Sequence, residues 1–279
     1  MNSSKVSHNA AVVFDGVRKS FSNAGRPVLA IDELTFSLNR GEYVCVLGRS
    51  GCGKSTMASL LLGLDRPTAG RISVLGLDPV RDFAKLRGRL ASVFQSDRLL
   101  PWRTAVENVR LPIEILGREQ EGVRVSAAEW LSRLGLQGFE TSYPHQLSGG
   151  MRQRVALARA LVADPDIVIA DEAFAHLDEV TGERLRRDFH QLTKMGGKTV
   201  VHITHSIDEA IGLGDRILVV GKPGRVVANL TDFSAQDRDE LRAHILTHLG
   251  APPDSSARFL ERRSTRIDER ATGSGGWAS

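Results

Sequence analysis

Residues 48 to 55 read Gly-Arg-Ser-Gly-Cys-Gly-Lys-Ser, and they restrict the chain more than any other segment. Gly48, Gly51 and Gly53 let the backbone curl into conformations that a side chain forbids. The loop's N–H groups can then converge on phosphate oxygens. A helix opening near Lys54 adds the positive end of its dipole. In this spacing Lys54 reaches the β and γ phosphates, and the Ser55 hydroxyl helps hold Mg²⁺. The apolar run Tyr43 to Leu47 comes just before and reads as a buried strand. Strand, glycine loop and helix together are the context that a phosphate-binding loop needs.

The rest of the composition narrows the setting. A chain of 279 residues, 41% of them hydrophobic, can bury one large core or two modest ones. The net charge of +4 is dispersed, and no polybasic block marks a nucleic-acid face. Cys45 and Cys52 flank the loop and cannot make a disulfide framework, which suits a reducing compartment. Met1 to Ala10 is polar, so no secretory signal is expected. No run of about 18 apolar residues occurs, so a membrane partner would be another chain.

Patterning gives an outline. Ala11–Phe14, Leu34–Leu38, Tyr43–Leu47, Arg71–Leu75 and Leu90–Phe94 read as strands, with turns at 25–27 and 39–41. Thr104–Leu116, Ser126–Leu134 and Gly149–Val162 have helical spacing. Ile167–Ala170 and Lys198–Thr204 lack alternation, as strands covered on both faces do. A helix from Ser206 to Leu213, a hairpin around Lys222-Pro223-Gly224 and an amphipathic helix from Gln236 to Leu249 follow. The Pro-, Ser-, Arg- and Gly-rich end from 251 to 279 is expected to be disordered.

Three further groups carry chemistry. Asp171-Glu172 closes an apolar strand, where ligands bind in open α/β sheets. Asp171 can hold Mg²⁺ and Glu172 can polarise a water; the alternative is an acid-decorated helix start. Leu147-Ser148-Gly149-Gly150-Met151-Arg152-Gln153-Arg154 offers Ser148 as an N-cap and a second anion-binding helix tip. His205 follows the strand that ends at Thr204 and can reach a γ phosphate, whereas His202 inside that strand reads as structural.

Together these segments resemble the nucleotide-binding subunit of an ATP-binding cassette (ABC) transporter, over nearly all of 11–232. The family's Walker A motif matches Gly48 to Thr56, which places Arg49, Ser50, Cys52 and Thr56 on the nucleotide with Lys54 and Ser55. Its signature matches Leu147 to Met151 and its Walker B matches Ile167 to Glu172. Its Q-loop glutamine corresponds to Gln95, its D-loop aspartate to Asp178, its switch histidine to His205, and its adenine-stacking aromatic to Phe21. The resemblance implies an α/β fold: a P-loop, RecA-like ATPase core (11–95 and 164–232) with an N-terminal antiparallel β subdomain. A helical signature subdomain is inserted at 96–163, and a C-terminal helix spans 233–250.

By the same resemblance, ATP and Mg²⁺ are the ligands. Lys54, Gln95, Glu172 and His205 are catalytic, and Ser55, Gln95 and Asp171 hold the metal. The signature of one copy, Ser148 to Gly150, covers ATP held by a second copy, so a head-to-tail ATP-sandwich dimer is implied. Two transmembrane permease subunits and, indirectly, a solute-binding protein complete the machine, with this chain peripheral on the cytoplasmic face of the inner membrane. Arg49 and Ser206 depart from the family pattern without removing a group that chemistry needs; His176, where the family has small residues before Leu-Asp, either perturbs subunit contacts or points outward.

The run Arg98-Leu99-Leu100-Pro101-Trp102 resembles importers of the nitrate, sulfonate and taurine group, with Leu99, Leu100 and Trp102 as anchors for the permease or, for Trp102, as core. Cys52 is either a reactive thiol that ATP shields or an inert packed one. The competing class is another ABC system. An exporter would share every catalytic residue, a chromosome-organising ATPase would carry long coiled coils, and a translation factor would carry two cassettes. The solute touches other chains and leaves no mark on this one.

Overall fold

The computed structural model describes residues 9–23, 26–118, 125–175, 177–233 and 236–250. Gly25, His176 and the tail expected from 251 onward lie outside the described residues. In chain order the elements are β1 (Ala10–Asn23), β2 (Arg26–Asn39), β3 (Tyr43–Gly48), α1 (Lys54–Leu61), β4 (Ala69–Val74), α2 (Phe83–Leu86) and β5 (Leu90–Phe94). Then come α3 (Ala105–Leu116), α4 (Ala127–Arg133), α5 (Gly149–Leu161), β6 (Ile167–Asp171), α6 (Glu179–Met195) and β7 (Thr199–Thr204). The last are α7 (Ile207–Leu213), β8 (Arg216–Gly221), β9 (Arg225–Thr231) and α8 (Arg238–His248).

Six strands form one sheet in the order β5-β6-β7-β3-β8-β9. The first five run parallel and β9 returns antiparallel. Every residue of β3 and β7 is buried, which is why both read as unbroken apolar runs: helices cover the two faces of a parallel sheet. A second, antiparallel sheet has the order β2-β1-β4. Its central strand, β1, is longer than expected. Period-2 patterning breaks at a bulge where Gly16 takes φ 58° and the register shifts between Phe14 and Val17. Arg26 and Pro27, expected in a turn, instead pair with Asn23 and Ser22.

The helices α3, α4 and α5 each begin at a hydroxyl cap. Thr104 and Ser126 form capping boxes with Glu107 and Glu129, and Ser148 accepts from the Met151 N–H. Asn108 is fully buried in α3. Its amide donates to the carbonyls of Leu100, Arg103 and Thr104 at 3.0–3.1 Å and accepts from the Leu100 N–H at 2.8 Å, which fixes the loop before the helix. The 17-residue α6 was not marked in the sequence; Leu185 and Phe189 anchor it, with Phe189 packed on Phe174 at 5.7 Å between ring centroids. The described residues through Asp232 make one compact unit, and α8 belongs to a second. Among the described residues no helix is long and apolar enough to cross a membrane.

Candidate active site

Strand order assembles the site. Phe94 at the end of β5 pairs with Asp171 at the end of β6, Asp171 with Ile203 of β7, and Thr204 with Leu47 of β3. The residues that follow these ends are Gln95, Glu172, His205 and the glycine loop. Four segments far apart in sequence therefore open side by side at one edge of the sheet, the edge where parallel sheets bind ligands.

Two glycines of the loop are compelled by space. Gly53 has φ 108°, and a Cβ there would stand 2.7 Å from the Ala30 carbonyl oxygen. A Cβ on Gly48 would stand 2.7 Å from the Val220 oxygen and 2.6 Å from the Cys52 Sγ. The loop is thus pressed against β2 and β8 and its outer side left open. The outer positions Arg49, Ser50, Gly51 and Ser55 are exposed, and Thr56 is half-buried. Cys52 is only 2% exposed, which favours the packed thiol of the two alternatives: its side chain fills space behind the loop.

Lys54 lies in the floor, its side chain 5% exposed. Its ammonium donates to the carbonyls of Gly48 at 2.7 Å and Arg49 at 3.3 Å. Glu172 stands between two nitrogen-bearing side chains: Oε1 is 3.9 Å from Lys54 Nζ, and Oε2 is 3.6 Å from His205 Nδ1. Glu172 also has φ 49°, a left-handed backbone unusual for a glutamate, and its N–H donates to the Ile203 carbonyl at 2.9 Å. Strain of this kind concentrates where a side chain must be aimed.

Burial, and then the neighbouring Glu172 carboxylate, push the Asp171 carboxyl above its ordinary range, although Ser55 bonds to it and Lys54 and Arg98 oppose the shift. A half-buried acid next to another acid and bonded to a hydroxyl fits a divalent cation: the ion relieves the repulsion that raises Asp171. Among the described residues no cluster of three or more His, Cys, Asp or Glu could hold a metal alone. The Asp171 carboxyl bonded to the Ser55 hydroxyl fits Mg²⁺, which takes one or two protein oxygens and completes its shell from phosphates and water.

The signature tip packs on α6. A Cβ on Gly150 would meet Thr181 Cγ2 at 2.9 Å, so the start of α5 abuts the start of α6, which Asp178 caps by accepting from the Thr181 N–H at 2.9 Å. Gln95 and Gly149 share a cleft of about 200 Å³ with Gln153 and Leu177. Phe21 is 43% exposed on β1, with the Lys19 ammonium 4.8 Å from its ring centroid, so it is no core residue.

Sequence reasoning missed what fastens these parts. Gln153 is buried, and its amide donates to the carbonyls of Phe94 at 3.2 Å and Ala173 at 2.6 Å. It ties the signature helix to the strand end before Gln95 and to the residue after Glu172. Arg152 bonds Asp97 at 2.9 Å, and Arg159 donates to the Asp97 and Arg98 carbonyls at 2.6 and 2.8 Å. The signal was a polar Gln on the buried stripe of a helix.

A glycine cradle after a central parallel strand, with acids and a histidine on the adjoining strand ends, defines a phosphate-loop nucleoside triphosphatase of RecA-like build. The family model described as ABC transporter matches residues 31–175. An aliphatic sulfonates import ATP-binding protein of Bacillus cereus is 39% identical over 216 residues, covering 77% of this chain and 83% of that one. A taurine import ATP-binding protein of Pelagibacter ubique is 40% identical over 203 residues, covering 72% and 75%. A dimeric ATP-binding cassette in a post-hydrolysis state, bound to ADP and Pi, superposes with a TM-score of 0.70 at 34% identity, covering 79% and 98%. This chain belongs to the ABC transporter family and is an ATPase of that family.

Proposed function

We propose that the chain is the ATP-hydrolysing subunit of an importer for a small organic solute of the sulfonate, taurine and nitrate group, acting as a pair of copies docked on two permease subunits. The observation that carries the hydrolytic part is the Glu172 carboxylate standing between Lys54 and His205. The names of the relatives support the importer part.

In this reading the loop N–H groups and Lys54 hold the β and γ phosphates of ATP. Ser55 and Asp171, with Gln95, hold Mg²⁺, which when bound neutralises charge on the phosphoryl group. Glu172 accepts the proton of a water whose oxygen attacks the γ phosphorus. The bond to the β–γ bridging oxygen breaks, and its electron pair leaves with ADP. His205 holds the γ phosphate and that water in line, and Lys54 offsets the developing charge. Phe21 stacks on the base. Ser148, Gly149 and Gly150 close on ATP held by the other copy, and Asp178 lies at that junction. The chain is peripheral on the cytoplasmic face of the membrane, with a solute-binding protein on the far side.

An apolar groove of about 600 Å³ fits the permease contact. Leu62, Phe83, Leu90, Leu111 and Ile115 line it, with Arg87, Arg98 and Arg159 among the lining residues. Trp102 is 71% exposed, which removes the core alternative, but the Leu99–Trp102 run expected to provide the anchors is outside the lining. Glu172→Gln tests the reading: ATP binding is retained and turnover falls on the order of 10²–10⁴-fold. Turnover near the unmodified rate removes Glu172 from its role.

A further inference from the structure

His205 is 61% exposed at its side chain, and its nearest ionic partner is Glu172 at 3.6 Å. The imidazole must therefore be aimed from its own backbone, through Thr204 and Ser206. Both residues converge on Glu209 of α7. The Thr204 hydroxyl donates to Glu209 Oε2 at 2.6 Å, and the same hydroxyl oxygen accepts from the Ser206 N–H at 3.0 Å. The Glu209 N–H donates to Ser206 Oγ at 3.2 Å. His205 lies between the two residues joined by the Ser206 N–H and the Thr204 hydroxyl.

This arrangement departs from an ordinary helix start. Ser206-Ile207-Asp208-Glu209 has the spacing of a capping box, in which the glutamate would bond the N-cap N–H directly. Here the Thr204 hydroxyl stands between them and takes that N–H itself. The freed carboxylate turns inward, where Arg186 of α6 donates to its Oε1 at 2.9 Å. His202 Nε2, fully buried, has Oε2 as its nearest ionic partner at 3.4 Å, a long contact without good hydrogen-bond geometry. The other ring nitrogen, Nδ1, is 2.8 Å from the Tyr43 hydroxyl. Burial of a carboxylate is costly unless it is paired and hydrogen-bonded, and here it is both. Helix capping alone would not require it.

We propose that Glu209 is a positioning residue for ATP hydrolysis: held by Arg186 and backed by His202, it clamps Thr204 and Ser206 and so sets the direction of His205. The inference rests on the role given to His205 above. Displacing a reacting group by about 1 Å can cost on the order of 10²-fold in rate. Groups that act through one another lose less together than the product of their separate losses.

The test is steady-state ATP hydrolysis by the whole chain carrying Thr204→Val, Thr204→Ser, Glu209→Gln and His205→Ala, singly and with His205→Ala combined with each of the others. Thr204→Val and Glu209→Gln each lower kcat about 10–100-fold and leave KM for ATP within about threefold. Thr204→Ser, which keeps the hydroxyl, stays within about threefold of the unmodified kcat. With His205 already alanine, neither Thr204→Val nor Glu209→Gln lowers kcat further. Multiplicative losses in the double variants, or an unchanged kcat in both single variants, overturn the inference while His205→Ala remains impaired. Full activity of His205→Ala overturns the proposed role of His205 and the inference with it. Thr204→Val keeps the test open should Glu209→Gln not fold, because it leaves the carboxylate on Arg186.

Discussion

A Cβ at Gly53 would strike the Ala30 carbonyl at 2.7 Å, whereas at Gly51 it would meet nothing within 4 Å. Both residues have positive φ. Gly51→Ala therefore bears only the left-handed backbone, about 1–2 kcal/mol. Gly53→Ala adds a contact with backbone that cannot move aside, so its melting temperature falls further than that of Gly51→Ala. Equal melting temperatures would show that the loop is not pressed on β2 as described. The buried thiol makes a second expectation at this scale: Cys52 in the folded chain reacts slowly with maleimide whether or not ATP is present. Rapid labelling that ATP suppresses, read by mass spectrometry, would restore the reactive thiol. The contrast shows the limit of the sequence here. The glycine spacing announces a phosphate cradle, but which side of the loop faces the protein depends on Ala30 and Val220, which no motif includes.

At the scale of elements, the caps make a pH dependence. The Thr104 backbone N–H, and then its hydroxyl, hold the Glu107 carboxyl below the ordinary value of 4.5. The Ser126 N–H and hydroxyl do the same for Glu129. A carboxyl lowered in the folded state contributes stability above its unfolded value, and that contribution is lost as pH falls through the folded value. The starts of α3 and α4 therefore loosen as pH drops below 4.5. Amide exchange at the first turn of α3, corrected for its intrinsic pH dependence, rises over that window; in Glu107→Gln it does not. Thr104→Ala removes the cap at any pH and costs about 1 kcal/mol. These helices were legible because hydroxyl, acid and apolar period coincide in one short stretch. α6 was not: its buried positions Gly182, Leu185, Phe189 and Thr193 include a glycine and a threonine, so the apolar stripe is thin. β1 was half legible, because the bulge at Gly16 resets the alternation that a period-2 reading follows.

For the whole molecule, the order β5-β6-β7-β3 does what no motif can. Each motif reports a local chemistry; only parallel pairing of four strands brings Gln95, Glu172, His205 and the loop to one edge. The apolar groove proposed for the permease is similarly composite, drawn from residues 62–64, 83–98, 111–116 and 159–163, whereas a sequence reading finds only the continuous run at Leu99–Trp102. The signature tip, by contrast, abuts α6, and the proposed function makes it the cover for ATP held by a second copy. The central claim is that one copy's cover closes on the other copy's floor. Light scattering of Glu172→Gln with and without ATP, alone and combined with Ser148→Arg, tests it most directly. The account predicts that saturating ATP doubles the 30.4 kDa mass of Glu172→Gln. Added Ser148→Arg keeps nucleotide binding but leaves the chain single. A Glu172→Gln chain that stays single at saturating ATP, or a Ser148→Arg combination that pairs just as well, contradicts it.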